Sequence, residues 1–223
     1  FERSLAIRLE LAKDTHNARS QRDVSIAFER LGDVRQKLGD LAGAHSAYQK
    51  SLAIRLELAK DTQNAEAQRD LYETRTSIGQ ILMLLDDAGG ACEAFAKALD
   101  VAREISRAGK NPDSQKALAE SYGNLAFAEL FQRRFQEAIA ASREGLKADP
   151  TQTFIATNLA HGLLFTNQLE EAKNVYSEYK DVKLGAGQTF AQAVLDDFRL
   201  FRQKGLTHPD MEKIEKMLNE PNP

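Results

Sequence analysis

The sequence predicts an all-α chain of antiparallel helical hairpins stacked one on the next. Three observations carry that prediction. The segment Ser4–Thr15 recurs unchanged as Ser51–Thr62, and seventeen of the twenty positions from Ser4 to Asp23 agree with those from Ser51 to Asp70, a period of 47. Apolar residues recur at spacings of three and four, the spacing of one face of an α-helix. All five prolines (Pro112, Pro150, Pro209, Pro221, Pro223) fall at breaks between such runs or in the tail, as expected when an interior proline costs a helix roughly 3 kcal/mol.

Taken in order, the runs predict helices over 2–13, 18–38, 41–61, 65–85, 88–109, 114–132, 135–148, 151–166, 169–181, 189–204 and 209–219. No strand is expected. Asn17 and Asn64 precede the first helices of two hairpins, while Gly39-Asp40 and Asp86-Asp87 separate the two helices within each. An Asn or Asp side chain there can accept from the free amides of a helix start. Advancing by 47 aligns Leu31-Gly32 with Ile78-Gly79 and Leu125-Ala126, and a further 34 reaches Leu159-Ala160. Repeats of 17–63, 64–110, 111–150 and 151–184 follow, preceded by the second helix of another repeat over 1–16. The segment 185–219 breaks the pattern and is expected to cap the last hairpin, with 220–223 as a tail. Phe1 stands 47 residues before Tyr48, so the chain is expected to begin inside a repeat of a longer protein.

Composition removes several classes of function. With 30 Lys+Arg against 33 Asp+Glu the chain is nearly neutral, at a formal charge of −3, which disfavours nucleic acid as a partner. Its longest apolar run, Ile81–Leu85, is far short of a membrane span. Cys92 is the single cysteine, which rules out an intrachain disulfide and fits a reducing, cytoplasmic setting. It sits beside Ala91 in a predicted second helix, where a small buried thiol is the expected role. His16, His45, His161 and His208 show no metal-binding spacing. Gly89-Gly90 lacks the Lys-Ser/Thr of a phosphate-cradling loop. No catalytic residue, cofactor or metal is therefore expected.

The register residues resemble the tetratricopeptide repeat, whose 34-residue signature has a large residue, a Leu-Gly pair, a crossing Ala, an aromatic and a closing Pro. The large residue is Phe28 or Tyr122; the crossing alanines are Ala44, Ala91, Ala138 and Ala172; the aromatic is Tyr48, Phe95 or Tyr176; Pro150 is the closing proline. Arg75 and Ala156 depart from the large-residue position and Ser142 from the aromatic one. The resemblance implies a right-handed α-α superhelix. The 13 residues that 47 has beyond 34 are expected to lengthen both helices of a hairpin by roughly two turns. Similar long-helix variants occur in kinesin light chains and bacterial signalling proteins. The stretch Gly205–Met211 is similar to the closing segment of bacterial tetratricopeptide proteins, some with a caspase-like protease or other effector upstream.

The resemblance further implies that first helices line a concave face that takes an extended peptide. Asn124 and Asn158 match the family Asn before the Leu-Gly pair, whose amide can donate to and accept from a peptide backbone. By the same alignment Phe127, Phe131, Thr157, His161 and Phe165 point to the groove in the second half, and Glu29, Asp33 and Gln80 in the first. An apolar half beside an acidic half suits a ligand with hydrophobic anchors and a basic end. The alternatives are packing between hairpins for Phe131 and Phe165, bonding within the scaffold for the two Asn, and a solvated face for the acids. Glu29 and Asp33 stand where a family chaperone-tail clamp has Lys and Asn, which disfavours a carboxylate-terminated peptide.

The expected function is thus a non-catalytic, peptide- or protein-binding scaffold, an adaptor or regulatory part of a larger protein. Two alternatives remain open: a sensor or autoinhibitory arm of an effector enzyme, and a self-association module using apolar residues such as Leu5 and Ile7.

Overall fold

In the computed structural model, residues 17–185 and 187–220 are described, and the expected helix over 2–13, with Leu5 and Ile7, lies outside them. The described chain is all-α except for one small hairpin of strands, and its described residues fall into two compact units divided between Lys110 and Asn111.

The first unit holds α1 (Ala18–Lys37), α2 (Leu41–Leu58), α3 (Ala65–Leu84) and α4 (Ala88–Ala108). α1 pairs with α2 and α3 with α4, and α2 packs on α3 to stack the two hairpins. The caps stop and start these helices as their sequences require. Asn17 accepts from the amides of Arg19 and Ser20, Asn64 from Ala67, Asp40 from Gly43 and Asp87 from Gly90. Within each hairpin the crossing is closed by small residues. Ala44 and Ala91 are fully buried. A Cβ on Gly32 would stand 2.5 Å from the Tyr48 ring, and one on Gly79 2.4 Å from Phe95, so glycine permits the aromatic ring to lie flat on the opposite helix. Ala44, Tyr48, Ile78, Ile81 and Ala94 form the core between the hairpins.

The second unit holds α5 (Pro112–Phe131), α6 (Phe135–Ala148), α7 (Ile155–Phe165), α8 (Leu169–Tyr179), β1 (Lys183–Gly185), β2 (Gln188–Thr189), α9 (Phe190–Gln203) and α10 (Met211–Asn219). α5 pairs with α6 and α7 with α8, and α6 and α5 both contact α7. Pro112 is the first helical residue of α5 rather than a break before it, because Asn111 and Ser114 form a reciprocal capping box and a proline at that position loses no hydrogen bond. α7 begins later than expected, since Thr151–Phe154 is taken up by turns. β1 and β2 correct the expectation of no strands: they pair antiparallel, Lys183 opposite Thr189 and Gly185 opposite Gln188, around Gly187 at φ 82°.

α9 and α10 close the unit. Thr189 and Gln192 form a capping box at the start of α9, and Phe190, Val194, Phe198 and Phe201 are buried on one side of it. Met211, Ile214 and Leu218 do the same from α10. Gly205, at φ 67°, makes the turn between them. Arg202 binds Glu215 in bidentate fashion at 2.6 and 2.8 Å, and the Lys180 ammonium donates to the carbonyls of Met217 and Glu220 at the end of α10, where a cation is favoured by the helix dipole.

Candidate functional site

The expected binding residues fall on first helices, but their side chains separate into three groups: built into the scaffold, packed under the cap, and open to solvent.

Glu29 belongs to the scaffold. Arg55, on α2, is 1% exposed, and its guanidinium is surrounded by acceptors from α1 and α3. It donates to both oxygens of Glu29 at 2.9 and 2.6 Å, to the Asp70 carbonyl at 2.8 Å, to Thr74 Oγ1, and through Nε to Ser25 Oγ at 3.3 Å. Arg22 of α1 adds a second link to α3, donating to both Asp70 oxygens at 2.6 and 3.1 Å. Burial nevertheless pushes the Glu29 carboxyl above the usual range, with the Arg55 bond opposing it. Glu29 therefore acts as a stacking buckle, which corrects its expected place in a ligand groove. Asp33 remains at the surface, where it accepts from the Tyr48 hydroxyl at 2.8 Å. Burial and the bond to Asp33 push the Tyr48 pKa up, keeping that hydroxyl a donor.

In the second unit three expected residues are buried. His161 is enclosed by Tyr176, Phe198 and Phe201. Its Nε2 lies 3.2 Å from Asp197 Oδ2 and its Nδ1 2.9 Å from the Tyr176 hydroxyl; a carboxylate only accepts, so Nε2 donates to Asp197. The cap helix α9 has occupied the side of α7 that alignment leaves open. Asn158 donates to the Gly123 carbonyl at 2.9 Å, and Thr157 donates to the Phe154 carbonyl at 2.7 Å. Asn158 thus ties α7 to α5 rather than meeting a ligand.

Phe131 and Phe165 also pack against α9, with ring centroids 5.3 and 5.5 Å from Phe201. Phe165 stacks on Phe135 at 4.9 Å, and Phe127 meets Phe131 edge-on at 5.1 Å. All four rings outside Phe201 are half-buried, as is Asn124. The geometry leaves Asp33 and Gln80 exposed in the first unit, and Asn124 and Phe127 half-exposed in the second.

Residues missing from the expected set lie on the same exposed stripes. On α1, Asp23, Arg30, Asp33 and Lys37 recur at spacings of seven, three and four and are all exposed; on α3, Glu66, Glu73, Gln80 and Leu84 do so at seven, seven and four. The stripe of α1 is thus of mixed sign, and Arg30 and Lys37 correct the expectation of an acidic half. The three-four-seven spacing was available as a signal for them.

Among the described residues no group of three or more His, Cys, Asp or Glu could hold a metal, and no helix is long and apolar enough to cross a membrane. Cys92 is buried.

Residues 119–152 match the family model of the tetratricopeptide repeat. Solved structures share the fold. BtubC (BKLC) from P. vanneervenii is 21% identical with a TM-score of 0.63, over 100% of this chain and 91% of that one. YrrB, described as a TPR protein with an unusual peptide-binding site, is 14% identical with a TM-score of 0.51, over 95% and 92%. MamA is 20% identical with a TM-score of 0.50, over 84% and 92%. No curated protein matches the chain in sequence. The chain thus holds one segment that matches the tetratricopeptide repeat, within a fold of helical hairpins similar to that of these solved structures.

Proposed function

We propose that the protein is a non-catalytic scaffold that binds an extended segment of another protein along the exposed stripes of its first helices. The observation that carries this reading is the pair of stripes on α1 and α3, Asp23, Arg30, Asp33 and Lys37 beside Glu66, Glu73, Gln80 and Leu84. Arg55 and Arg22 link the two helices that carry them, Arg22 also pairing with Glu66 of the α3 stripe at 3.1 Å. The alternating charges of the α1 stripe and the acidic α3 stripe that ends in an exposed leucine select a partner of complementary charge order with an apolar anchor, since complementarity of this kind sets specificity and encounter rate more than affinity. In the second unit Asn124 and Phe127 are half-exposed and outside the contacts with Phe201 that hold Phe131 and Phe165, and Asn124 offers an amide to a peptide backbone. A peptide-binding site on a similar fold, in YrrB, supports the class of ligand.

The test is binding selection from a display library of random peptides, repeated with Asp33→Lys/Gln80→Lys and with Asn124→Ala/Phe127→Ala. The reading expects enriched peptides that lose affinity at least tenfold for one of the two variants while circular dichroism stays unchanged. Peptides that bind both variants as they bind the parent would refute it.

A further inference from the structure

The five large hydrophobic residues that stand exposed among the described residues all belong to the first unit: Val34, Leu38, Leu56, Leu84 and Leu85. Three of them mark hairpin tips. Leu38, 79% exposed, and Leu85, 39% exposed, are the residues that end α1 and α3, and they are 47 apart in register; Leu84, 55% exposed, adjoins the second. Each tip then turns through carboxylates, Asp40 in one and Asp86-Asp87 in the other, and all three aspartates are exposed. Leu84-Leu85-Asp86-Asp87 therefore presents two apolar side chains and two carboxylates on a turn capped by the bond from the Gly90 amide to Asp87, with no cation from Gln80 to Asp87.

The second unit has the opposite chemistry at its own tips. Phe131, Phe135 and Phe165 are half-buried around Phe201, in an aromatic edge with ring centroids 4.9 to 5.5 Å apart. The three turns bordering it are tied together: Arg133 donates to the Gly205 carbonyl at 3.0 Å, and His208 Nε2 meets Asn167 Oδ1 at 3.1 Å. Nδ1 of the same His208 accepts from the Asp210 amide, so Nε2 is the donor to Asn167. These turns, Gln132-Arg133-Arg134, Thr166-Asn167-Gln168 and Gln203-Lys204-Gly205, carry three cations and no carboxylate of their own, with Arg134 paired to Glu129 of α5.

We infer that a second copy of this chain supplies the partner: the Leu84-Leu85-Asp86-Asp87 tip of one copy docks on the Phe131/Phe135/Phe165 edge of another, with Asp86 and Asp87 facing Arg133 and Lys204. An apolar-acidic tip and an aromatic-basic edge on one polypeptide complement each other in charge and in apolar surface, so the protein's own concentration governs their encounter. One tip on one edge joins two copies, and the remaining tip and edge either close the pair reciprocally or extend the assembly. The tip shares Leu84 with the α3 stripe, whereas Leu85, Asp86, Asp87 and the aromatic edge lie outside the proposed peptide-binding residues.

The experiment is sedimentation velocity on the full chain over a range of protein and salt concentrations. The weight-average mass is expected to rise with protein concentration at low salt and to fall towards the monomer as salt screens the charges. Two variants make the test decisive: Leu84→Ser/Leu85→Ser, with the tip removed, and Arg133→Gln/Lys204→Glu, with the positive charge of the edge cancelled. Each alone is expected to remain monomeric, whereas an equimolar mixture forms a one-to-one dimer through the intact edge of the first and the intact tip of the second, which also shows that both are folded. A wild-type chain that stays monomeric at every concentration, a mixture that stays monomeric, or a single variant that assembles as the wild type does would each overturn the inference.

Discussion

Replacing Arg55 by Met removes a buried cation and keeps most of its volume. Glu29, Ser25, Thr74 and the Asp70 carbonyl would then lose a shared donor in the space between α1 and α3. Removing one member of a buried ion pair costs about 3–5 kcal/mol, because the charge left behind has no partner. The Glu29 side chain is 18% exposed, so water can reach part of it, and the lower figure of about 3 kcal/mol is appropriate. At roughly 2–4 °C per kcal/mol for a chain of this length, the melting temperature should fall by about 6–12 °C. Loss of a nearest-neighbour contact in a stacked array is local, so amide hydrogen exchange should quicken first in α1 and α2. The double variant Arg55→Met/Glu29→Met should recover most of the loss, since a buried pair replaced by apolar side chains is often neutral or stabilising. A single variant that melts within about 1 °C of the wild type, or a double variant no better than the single, would refute the buckle.

Three further outcomes follow from the packing. Gly79→Ala should destabilise the first unit by about 1–2 kcal/mol, because overpacking against the Phe95 ring outweighs the roughly 1 kcal/mol that alanine gains in a helix, and Phe95→Ser should relieve the clash in a chemical denaturation series. Ser142→Ala should raise stability by about 1 kcal/mol in the same assay, since the Ser142 hydroxyl is buried without a hydrogen-bond partner and an unsatisfied polar group costs on that order. Burial pushes the Glu129 carboxyl above its ordinary value of 4.5, against the opposing pull of Arg134. The folded state then binds that proton more tightly than the unfolded state, so the stability contributed is full below 4.5 and is lost as pH rises through the raised value. Melting curves of Glu129→Gln should lack that decline, and the gap between variant and wild type should shift in favour of the variant as pH rises from 4 towards neutrality.

The hairpins of the first unit were readable because the copied segment brings its own punctuation: Asn17 and Asn64, Asp40 and Asp87 all cap the helices that they precede. Pro112 misled because a proline reads equally as a break or as a first helical residue, and the difference lies in Ser114 reaching back to the Asn111 amide. The short strands escaped because two or three residues on either side of Gly187 show no periodicity. Departures from the repeat signature compensate one another in a way that only contact reveals. Ser142 stands where Tyr48 and Phe95 press on Gly32 and Gly79, and there the third hairpin has Ala126.

Register arithmetic placed the candidate site on the first helices but could not say what would cover each residue. His161 is 36 residues from Asp197, and nothing local to α7 announces that α9 will lie over it. Arg55 repeats within the copied segment as one more basic residue of an amphipathic helix, and its burial follows only when Glu29 and Thr74 arrive from two other helices. Asp33 and Gln80 are exposed, Asp33 with one bond from the Tyr48 hydroxyl.

The most direct measurement of the central claim is site-specific photocrosslinking in extracts of the native host, with the reactive residue at Asp33 or Gln80 on the first helices and, as controls, at Asp100 or Arg103, which are exposed on α4. Binding along the first-helix stripes predicts adducts with the same partner from Asp33 and Gln80 and none from Asp100 or Arg103. Adducts confined to the α4 positions, or formed equally from all four, would contradict it.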